Sequence, residues 1–215
     1  MRRRVKITGL GPVTPAGIGR EEFFRGINEP VSHVRVIKRP ESEAVPIIGA
    51  EIINFDLKRY VADQNPRRLS RHTQFGLAAA VLALADAALT PEQACRLNPI
   101  VVTGTSLMDF DRISREIHLV TKKGARGAMA SNLYETSLVN VPGKIAEYLG
   151  PSTRMVSLQT SCCSGLDAVG QAAELVASGQ TNLAVAAVAN PHCLTTRWWS
   201  SMPQNSAPPT PTSRH

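Results

Sequence analysis

With 215 residues, 43% of them hydrophobic and 19% charged, the chain is long enough to bury one full core. Its composition argues against disordered and fibrous classes and is typical of an α/β protein. The formal net charge of +7 is compatible with a solvated basic surface or with an acidic protein partner. No helix-turn-helix, zinc-finger or RNA-binding signature supports nucleic-acid binding.

The N-terminal segment at 1–19 begins with basic residues, as a signal peptide does, but glycines and prolines interrupt any apolar core in it. The longest apolar stretch, LAAAVLALADAAL, is too short to cross a bilayer and contains Asp86. We therefore expect no targeting segment, no membrane association and a cytoplasmic location.

Four apolar runs predict β-strands, at 4–10, 99–105, 154–160 and 183–189. Each run is continuously apolar rather than alternating, which is typical of strands that are covered on both faces. The sequence therefore predicts an α/β fold with a mainly parallel sheet and covering helices.

Helical periodicity marks the segments between these strands. A helix is predicted at about 73–89, with one apolar face formed by Ala78, Leu82, Ala85 and Leu89. The stretch at 109–124 is also predicted to be helical, and a short helix is predicted to begin after Pro142.

The clearest unit is a βαβ crossover, with a strand at 154–160, a helix at 162–178 closed by Gly179, and a strand at 183–189. Such a connection is expected to be right-handed. The helix carries an apolar stripe of the kind that packs on a core, formed by Leu166, Val169, Ala173 and Val176.

The composition changes abruptly near residue 190. Residues 191–215 hold both tryptophans and a cluster of prolines, and they fit neither a core helix nor a core strand. We predict a half-domain at 1–190 followed by a disordered or aberrant tail at 191–215, such as a frameshift would produce.

The stretch TSCCSG at 160–165 places Cys162 and Cys163 at the junction of a strand and a helix. Together with Cys95 and Cys193 they show neither zinc-site spacing nor a disulfide framework, and adjacent cysteines cannot cross-link without strain. At a helix start, backbone N–H groups and the helix dipole favour a thiolate and can form half of an oxyanion hole, which suits acyl transfer. The alternative is that a tight turn simply needs small residues, and the spacing alone leaves both interpretations open.

Several segments, in the same order, resemble the β-ketoacyl-[acyl-carrier-protein] synthases of the thiolase-like superfamily. The resemblance covers about residues 2–189 and is carried by RRVKITGLGPVTPAGIG, AEIINFDLKRYVADQNPRRLSRHTQFGLAAAVLALADAAL, VVTGTS and NVPGKIAEYLGPSTRMVSLQTSCCSGLDAVGQAAELVASGQ. It implies the N-terminal half of a thiolase-like fold.

On this resemblance, Cys162 falls on the nucleophilic cysteine of the family, and Cys163 is a neighbour without a role. The family implies that Cys162 accepts an acyl chain from an acyl carrier protein. Malonyl-carrier protein then loses CO₂ and condenses with that chain, in fatty acid or polyketide synthesis. No metal or organic cofactor is implied beyond the phosphopantetheine arm of the carrier.

The implied partners are an acidic acyl carrier protein and either a second copy of the chain or a complementary half. Family members pair around the third strand and the region that corresponds to 132–140. The basic charge of the chain suits the carrier, although the resemblance does not identify the docking residues.

The chain departs from the family in lacking a second half with two catalytic histidines, a lysine and a Gly-rich loop. Its own histidines are predicted to be surface or loop residues without a catalytic role: His33, His72, His118, His192 and His215. We therefore predict an acyltransferase that is incomplete by itself, with a non-catalytic remnant or interaction module as the alternative. A cysteine hydrolase is a weaker third option, because the G-x-[SC]-x-G spacing is absent.

Overall fold

The computed structural model of the chain describes residues 3–37, 47–106, 109–128 and 130–189. The described N-terminal part consists of short elements outside the central sheet. They are β1 (Val13–Thr14), which pairs antiparallel with β2 (Gly17–Ile18); α1 (Arg20–Asn28); and β3 (Arg35–Ile37), which pairs antiparallel with β4 (Ile47–Gly49).

The central sheet comes from the later part of the chain, where helices alternate with parallel strands. The elements are α2 (Arg71–Asp86), α3 (Pro91–Cys95), β5 (Ile100–Gly104), α4 (Phe110–Lys123), α5 (Ala130–Glu135), α6 (Asn140–Leu149), β6 (Arg154–Leu158), α7 (Ser164–Ala177) and β7 (Ala184–Val188). Within the described residues the strand order is β6–β5–β7, and both outer strands run parallel to β5. The α/β class and the strands predicted at 99–105, 154–160 and 183–189 are confirmed.

Strand β5 is the centre of the core, because all its residues are buried. Successive side chains of a strand point to opposite faces of the sheet. Val101 packs on one face with apolar side chains of α2 and α6: Leu77, Leu84, Ile145 and Leu149. Ile100 and Val102 pack on the other face with one side of α7: Ala168, Ala172 and Leu175.

The outer strands are less covered than predicted. Met155 of β6 and Val188 of β7 are both about half exposed. The two strands of the predicted βαβ unit are also not neighbours, because β5 lies between them and pairs with both. Coverage on both faces therefore holds for β5 alone among the strands of the described sheet.

The strand predicted at 4–10 is wrong, because this segment is irregular and leaves Ile7 largely exposed. Hydrogen bonds from Leu10 and from Arg3, which directly precedes the segment, connect it to helices instead. The Arg3 N–H donates to the Ala177 carbonyl at 3.0 Å, and the Leu10 N–H donates to the Asp86 carboxylate at 2.9 Å. The apolar pattern fits a strand, but these long-range bonds attach the segment to α7 and α2.

The buried faces of two helices also differ from the prediction. On α2 the buried apolar residues are Leu77, Ala78, Ala80 and Leu84, whereas Ala85 is exposed. On α7 the predicted stripe is only partly buried: Leu166 is 78% exposed and Val169 43% exposed, whereas Ala173 and Val176 are half-buried. Ala168, Ala172 and Leu175 face the sheet, and the two small alanines let the helix approach it closely.

Helix α6 begins at Asn140 rather than after Pro142. Pro142 is the third residue of the helix, and in the first turn the missing N–H of a proline leaves no hydrogen bond unmade.

Buried polar side chains join α2, α4, α5 and α6. The Glu135 carboxylate accepts hydrogen bonds from the Ser70 N–H at 2.8 Å and the Asn140 amide at 2.6 Å, and Arg112 Nη1 lies 3.8 Å from it. The Asn140 amide also donates to Thr73 Oγ1 at 2.8 Å. Because an unpaired buried polar group costs about 1–3 kcal/mol, these bonds fix the relative positions of the helices.

The surface prediction is wrong for His72, which is 5% exposed on α2. Its Nδ1 lies 3.8 Å from Asp109 Oδ2 and has no hydrogen-bond partner among the described residues. Burial lowers the pKa of His72 from its ordinary 6.5, and this effect outweighs the opposite influence of Asp109 and Glu135. His118 is exposed and His33 is a partly buried loop residue, whereas His192 and His215 lie outside the described residues.

We predict that His72 makes stability depend on pH. Because the folded chain binds a proton at His72 more weakly than the unfolded chain, unfolding takes up a proton below the ordinary pKa of 6.5. The contribution is therefore fully present above that pH and is lost as pH falls toward the folded-state pKa. Denaturant unfolding at about pH 7.5 and about pH 5.5 should show a larger loss of unfolding free energy for the natural chain than for His72→Gln. Equal losses in the two proteins would show that His72 does not titrate as its burial requires.

Candidate active site

Cys162 lies in a short turn between β6 and α7. Residues Ser161–Cys163 form a single 3₁₀ turn, and α7 begins at Ser164, two residues later than predicted. The side chains of Cys162 and Cys163 are both free thiols and both exposed. We call residues 160–163 the Cys162 turn.

Ser164 anchors the Cys162 turn to the central strand. The side chain is buried, and its hydroxyl accepts a hydrogen bond from the Thr160 N–H at 2.9 Å. The same hydroxyl can donate to the Ser161 carbonyl at 2.7 Å or to the Thr105 carbonyl at 3.1 Å. Because Thr105 directly follows β5, this contact fastens the start of α7 to the end of the most deeply buried strand.

The backbone of β5 also approaches α7 closely. A Cβ atom added to Gly104 would lie 2.0 Å from the carbonyl oxygen of Ser164. Only a residue without a side chain fits at this point, so the glycine permits the contact that places the turn.

Ser161 has an uncommon backbone conformation. Its φ angle is 54°, in the left-handed region that costs an ordinary residue about 1–2 kcal/mol. On the outer side of the turn, the Thr160 hydroxyl donates to the carboxylate of Asp167 in the first turn of α7. A negative charge is favoured at this end of a helix.

Two backbone N–H groups at the end of the turn already donate hydrogen bonds within it. The Cys163 N–H donates to the Thr160 carbonyl at 3.2 Å, and the Ser164 N–H donates to the Ser161 carbonyl. The expectation that free N–H groups at the helix start contribute to an oxyanion hole is therefore wrong for these two groups.

The Cys162 turn follows the carboxyl end of β6 in the sheet. The ends of the three strands are level, because Gly104 lies opposite both Leu158 and Val188 within the described sheet. The crevice at the carboxyl ends of parallel strands is where ligands bind in open α/β sheets. The position of Cys162 is therefore compatible with a reactive role.

Exposed apolar side chains lie on α7 and at the end of β7. Leu166 and Val169 occupy the outer side of α7, and Val188 is half exposed at the end of β7. A Cβ added to Gly165 would lie 2.9 Å from Val188 Cγ2, which shows that Val188 lies against the start of α7. We call Leu166, Val169 and Val188 the α7–β7 patch.

The structure places Cys162 at the predicted junction, and its role as nucleophile stays a prediction. The sequence prediction did not include Thr160, Ser164 or Asp167 in the site. Ser164 and Asp167 could have been suspected, because serine and aspartate favour helix starts. No histidine is among the described hydrogen-bond partners of the turn. Cys193 and the predicted tail at 191–215 lie outside the described residues, so that boundary also stays a prediction.

No helix in the described part of the chain is both long enough and apolar enough to cross a membrane.

Comparison with known proteins identifies the family. The family model for the N-terminal domain of beta-ketoacyl synthases matches residues 2–206. The chain is 30% identical over 182 residues to the tetracenomycin polyketide synthase ketoacyl synthase beta subunit of Streptomyces glaucescens, covering 84% of this chain and 44% of the relative. It is 27% identical over 188 residues to 3-oxoacyl-[acyl-carrier-protein] synthase 2 of Vibrio harveyi, covering 86% of this chain and 45% of the relative.

Solved structures show the same fold. The ishigamide ketosynthase/chain length factor has a TM-score of 0.73 at 24% identity, covering 84% of this chain and 45% of that chain. A type II polyketide synthase acyl-carrier protein in complex with its ketosynthase bound to the hexaketide has a TM-score of 0.67 at 18% identity, covering 80% and 46%.

The chain therefore belongs to the beta-ketoacyl synthase family, and its fold is the N-terminal, α/β part of a thiolase-like fold. It spans about 45% of the length of the relatives described above.

We predict that Gly104→Ala destabilises the fold at the site. The added methyl group would meet backbone on α7, and such overpacking costs about 1–3 kcal/mol of unfolding free energy. The matched control is Gly170→Ala, at an exposed position of α7 where an added Cβ meets nothing within 4 Å. This substitution should raise the unfolding free energy by about 0.5–1 kcal/mol. Denaturant unfolding measures both changes. Similar effects of the two substitutions would contradict the close approach of β5 to α7.

Proposed function

We propose that this chain supplies the nucleophile of a β-ketoacyl-[acyl-carrier-protein] synthase, an acyltransferase of fatty acid or polyketide synthesis. The observation that carries the proposal is the exposed Cys162 thiol, held between β6 and α7 at the carboxyl edge of the sheet. On the resemblance carried by TSCCSG, Cys162 corresponds to the nucleophilic cysteine of the family to which the chain belongs.

In the first proposed step, the Cys162 thiolate attacks the carbonyl carbon of an acyl group on the phosphopantetheine arm of a carrier protein. The bond between that carbon and the carrier sulfur breaks, and the carrier leaves as a thiolate that takes up the proton given up by Cys162. A new thioester joins the acyl chain to Cys162. The exposure of the thiol supports this step, because a carrier-bound thioester must reach it from outside.

In the second proposed step, malonyl-carrier protein loses CO₂, and the resulting carbanion attacks the Cys162 thioester. The carbon–sulfur bond breaks, Cys162 leaves as a thiolate that takes a proton from solvent, and the lengthened β-ketoacyl chain remains on the carrier. This step needs hydrogen-bond donors for the enolate and the oxyanion. The Cys163 and Ser164 N–H groups are already bonded within the turn, and we propose that a complementary half supplies the donors.

Two kinds of partner follow from this proposal. The carrier is an acidic protein, and the net charge of +7 on the chain favours its approach. The α7–β7 patch is the surface that we propose to pack against a complementary half or a second copy of the chain, since exposed apolar clusters mark interaction sites. The solved complex of a ketosynthase with its acyl-carrier protein supports the first kind of partner.

The alternative is a non-catalytic interaction module with the same fold. The engagement of the Cys163 and Ser164 N–H groups favours this alternative, because it removes two candidate oxyanion donors beside the thiol. Acylation of Cys162 separates the two proposals.

We predict that the purified chain takes up an acyl group on Cys162 from an acyl-carrier protein or from a soluble acyl thioester. Intact-protein and peptide mass spectrometry should show the mass of one acyl group on the peptide that contains Cys162. Cys162→Ala should abolish the gain. The matched controls, Cys163→Ala and Cys95→Ala, should retain it, because those thiols lie outside the family position. No uptake by the natural chain, or equal uptake after Cys162→Ala, would favour the interaction module.

We also predict that the chain associates through the α7–β7 patch. Fully burying a leucine or valine side chain contributes about 1.5–3 kcal/mol, so Leu166→Gln together with Val169→Gln should weaken association at least about tenfold. The control is Gln171→Ala, an exposed position on the same helix. Sedimentation velocity over a range of concentrations measures the effect. A natural chain that stays monomeric throughout would refute this use of the patch.

A further inference from the structure

The Cys162 turn is held from two sides by side chains of α7. The inner contact is Ser164, whose buried hydroxyl bonds to the backbone of the turn and reaches the end of β5. The outer contact is Asp167, whose carboxylate accepts the hydrogen bond from the Thr160 hydroxyl. Cys162 lies in the chain between these contacts, next to the strained residue Ser161.

The outer contact adds little to the core. Asp167 and Thr160 are both exposed, and neither belongs to the apolar clusters that pack on the sheet. An exposed hydrogen bond of this kind contributes little to global stability. Its effect is local, because it fixes the residue that precedes Ser161 and thereby supports a backbone conformation that serine by itself disfavours.

We propose that Asp167 is a positioning residue for the Cys162 thiol, acting through the Thr160 hydroxyl, an inference that rests on the nucleophile role proposed above. The hydrogen bond holds the Cys162 turn in the left-handed bend that presents the thiol at the sheet edge. Without it, Ser161 relaxes and the thiol samples positions from which it does not reach an incoming carbonyl carbon. A displacement of about 1 Å can cost a reacting group up to about a hundredfold in rate.

The charge and the hydrogen bond of Asp167 have opposite effects on the thiol. A carboxylate near an attacking thiolate repels it, so loss of the charge alone would favour reaction. Loss of the hydrogen-bond acceptor would disfavour reaction. Asp167→Asn removes the charge and keeps an acceptor oxygen, whereas Asp167→Ala removes both. The two variants therefore differ in whether residue 167 can accept the hydrogen bond from the Thr160 hydroxyl.

The test measures alkylation of Cys162 by iodoacetamide in the full chain, with Cys163→Ala as the common background. Peptide mass spectrometry follows the rate at Cys162 as a function of pH, and the rate at Cys95 serves as an internal reference. We expect Asp167→Ala to lower the Cys162 rate about tenfold and to change its pH profile. Asp167→Asn should restore the rate, and Gln171→Ala should leave it unchanged.

A double-mutant cycle identifies the partner. Thr160→Val should reproduce the loss, Thr160→Ser should rescue it, and Thr160→Val combined with Asp167→Ala should lose no more than either change alone. Equal rates in Asp167→Ala and Asp167→Asn, or additive losses in the cycle, would overturn the proposal. If Asp167→Ala lowers the thermal midpoint, the pair Thr160→Val and Thr160→Ser provides the same comparison without touching α7.

Alkylation needs no acyl carrier and no condensation, so it separates this inference from the proposed function. A chain whose Cys162 alkylates in an Asp167-dependent way but accepts no acyl group retains the positioning role and loses the acyltransferase role. If the natural chain and Asp167→Ala take up the acyl group equally well, the acyltransferase role is retained and the positioning role is lost.

Discussion

The candidate site depends on the close contact between the end of β5 and the start of α7. The Ser164 carbonyl occupies the space that a side chain at Gly104 would need, and the Ser164 hydroxyl reaches the carbonyl of Thr105. Because backbone atoms form this contact, the start of α7 has little freedom relative to the most deeply buried strand. The exposed thiol of Cys162 is thereby attached to the rigid centre of the protein, as its proposed role as a nucleophile requires.

The distribution of residue sizes around α7 explains both the packing and the exposed surface. Ala168 and Ala172 let the helix lie close to the sheet, and the larger Leu166 and Val169 are left on the outer side. The same helix therefore completes the core with Ala168, Ala172 and Leu175 and leaves Leu166 and Val169 exposed.

A second constraint acts through polar groups on the opposite side of the sheet from α7. Glu135 and Asn140 connect α2, α5 and α6 by hydrogen bonds that would be costly to leave unmade. His72 is buried near Asp109 without a hydrogen bond to Nδ1 among the described residues. Directional hydrogen bonds therefore act together with apolar packing to position this part of the fold.

The sequence by itself determined the α/β class, β5, and the placement of Cys162 at a strand-to-helix junction, because continuous apolar runs and the TSCCSG motif are local signals. Only the tertiary structure decided that the segment at 4–10 forms no strand, since the Leu10 N–H bonds to distant Asp86 and the N–H of the preceding Arg3 bonds to distant Ala177. Which residues of α7 face the sheet likewise depended on how closely β5 approaches the helix. The contact of Thr160 with Asp167 also became visible only in the tertiary structure. It accompanies the left-handed bend at Ser161. No residue pattern specifies this bend, because hydrogen bonds across the turn hold it.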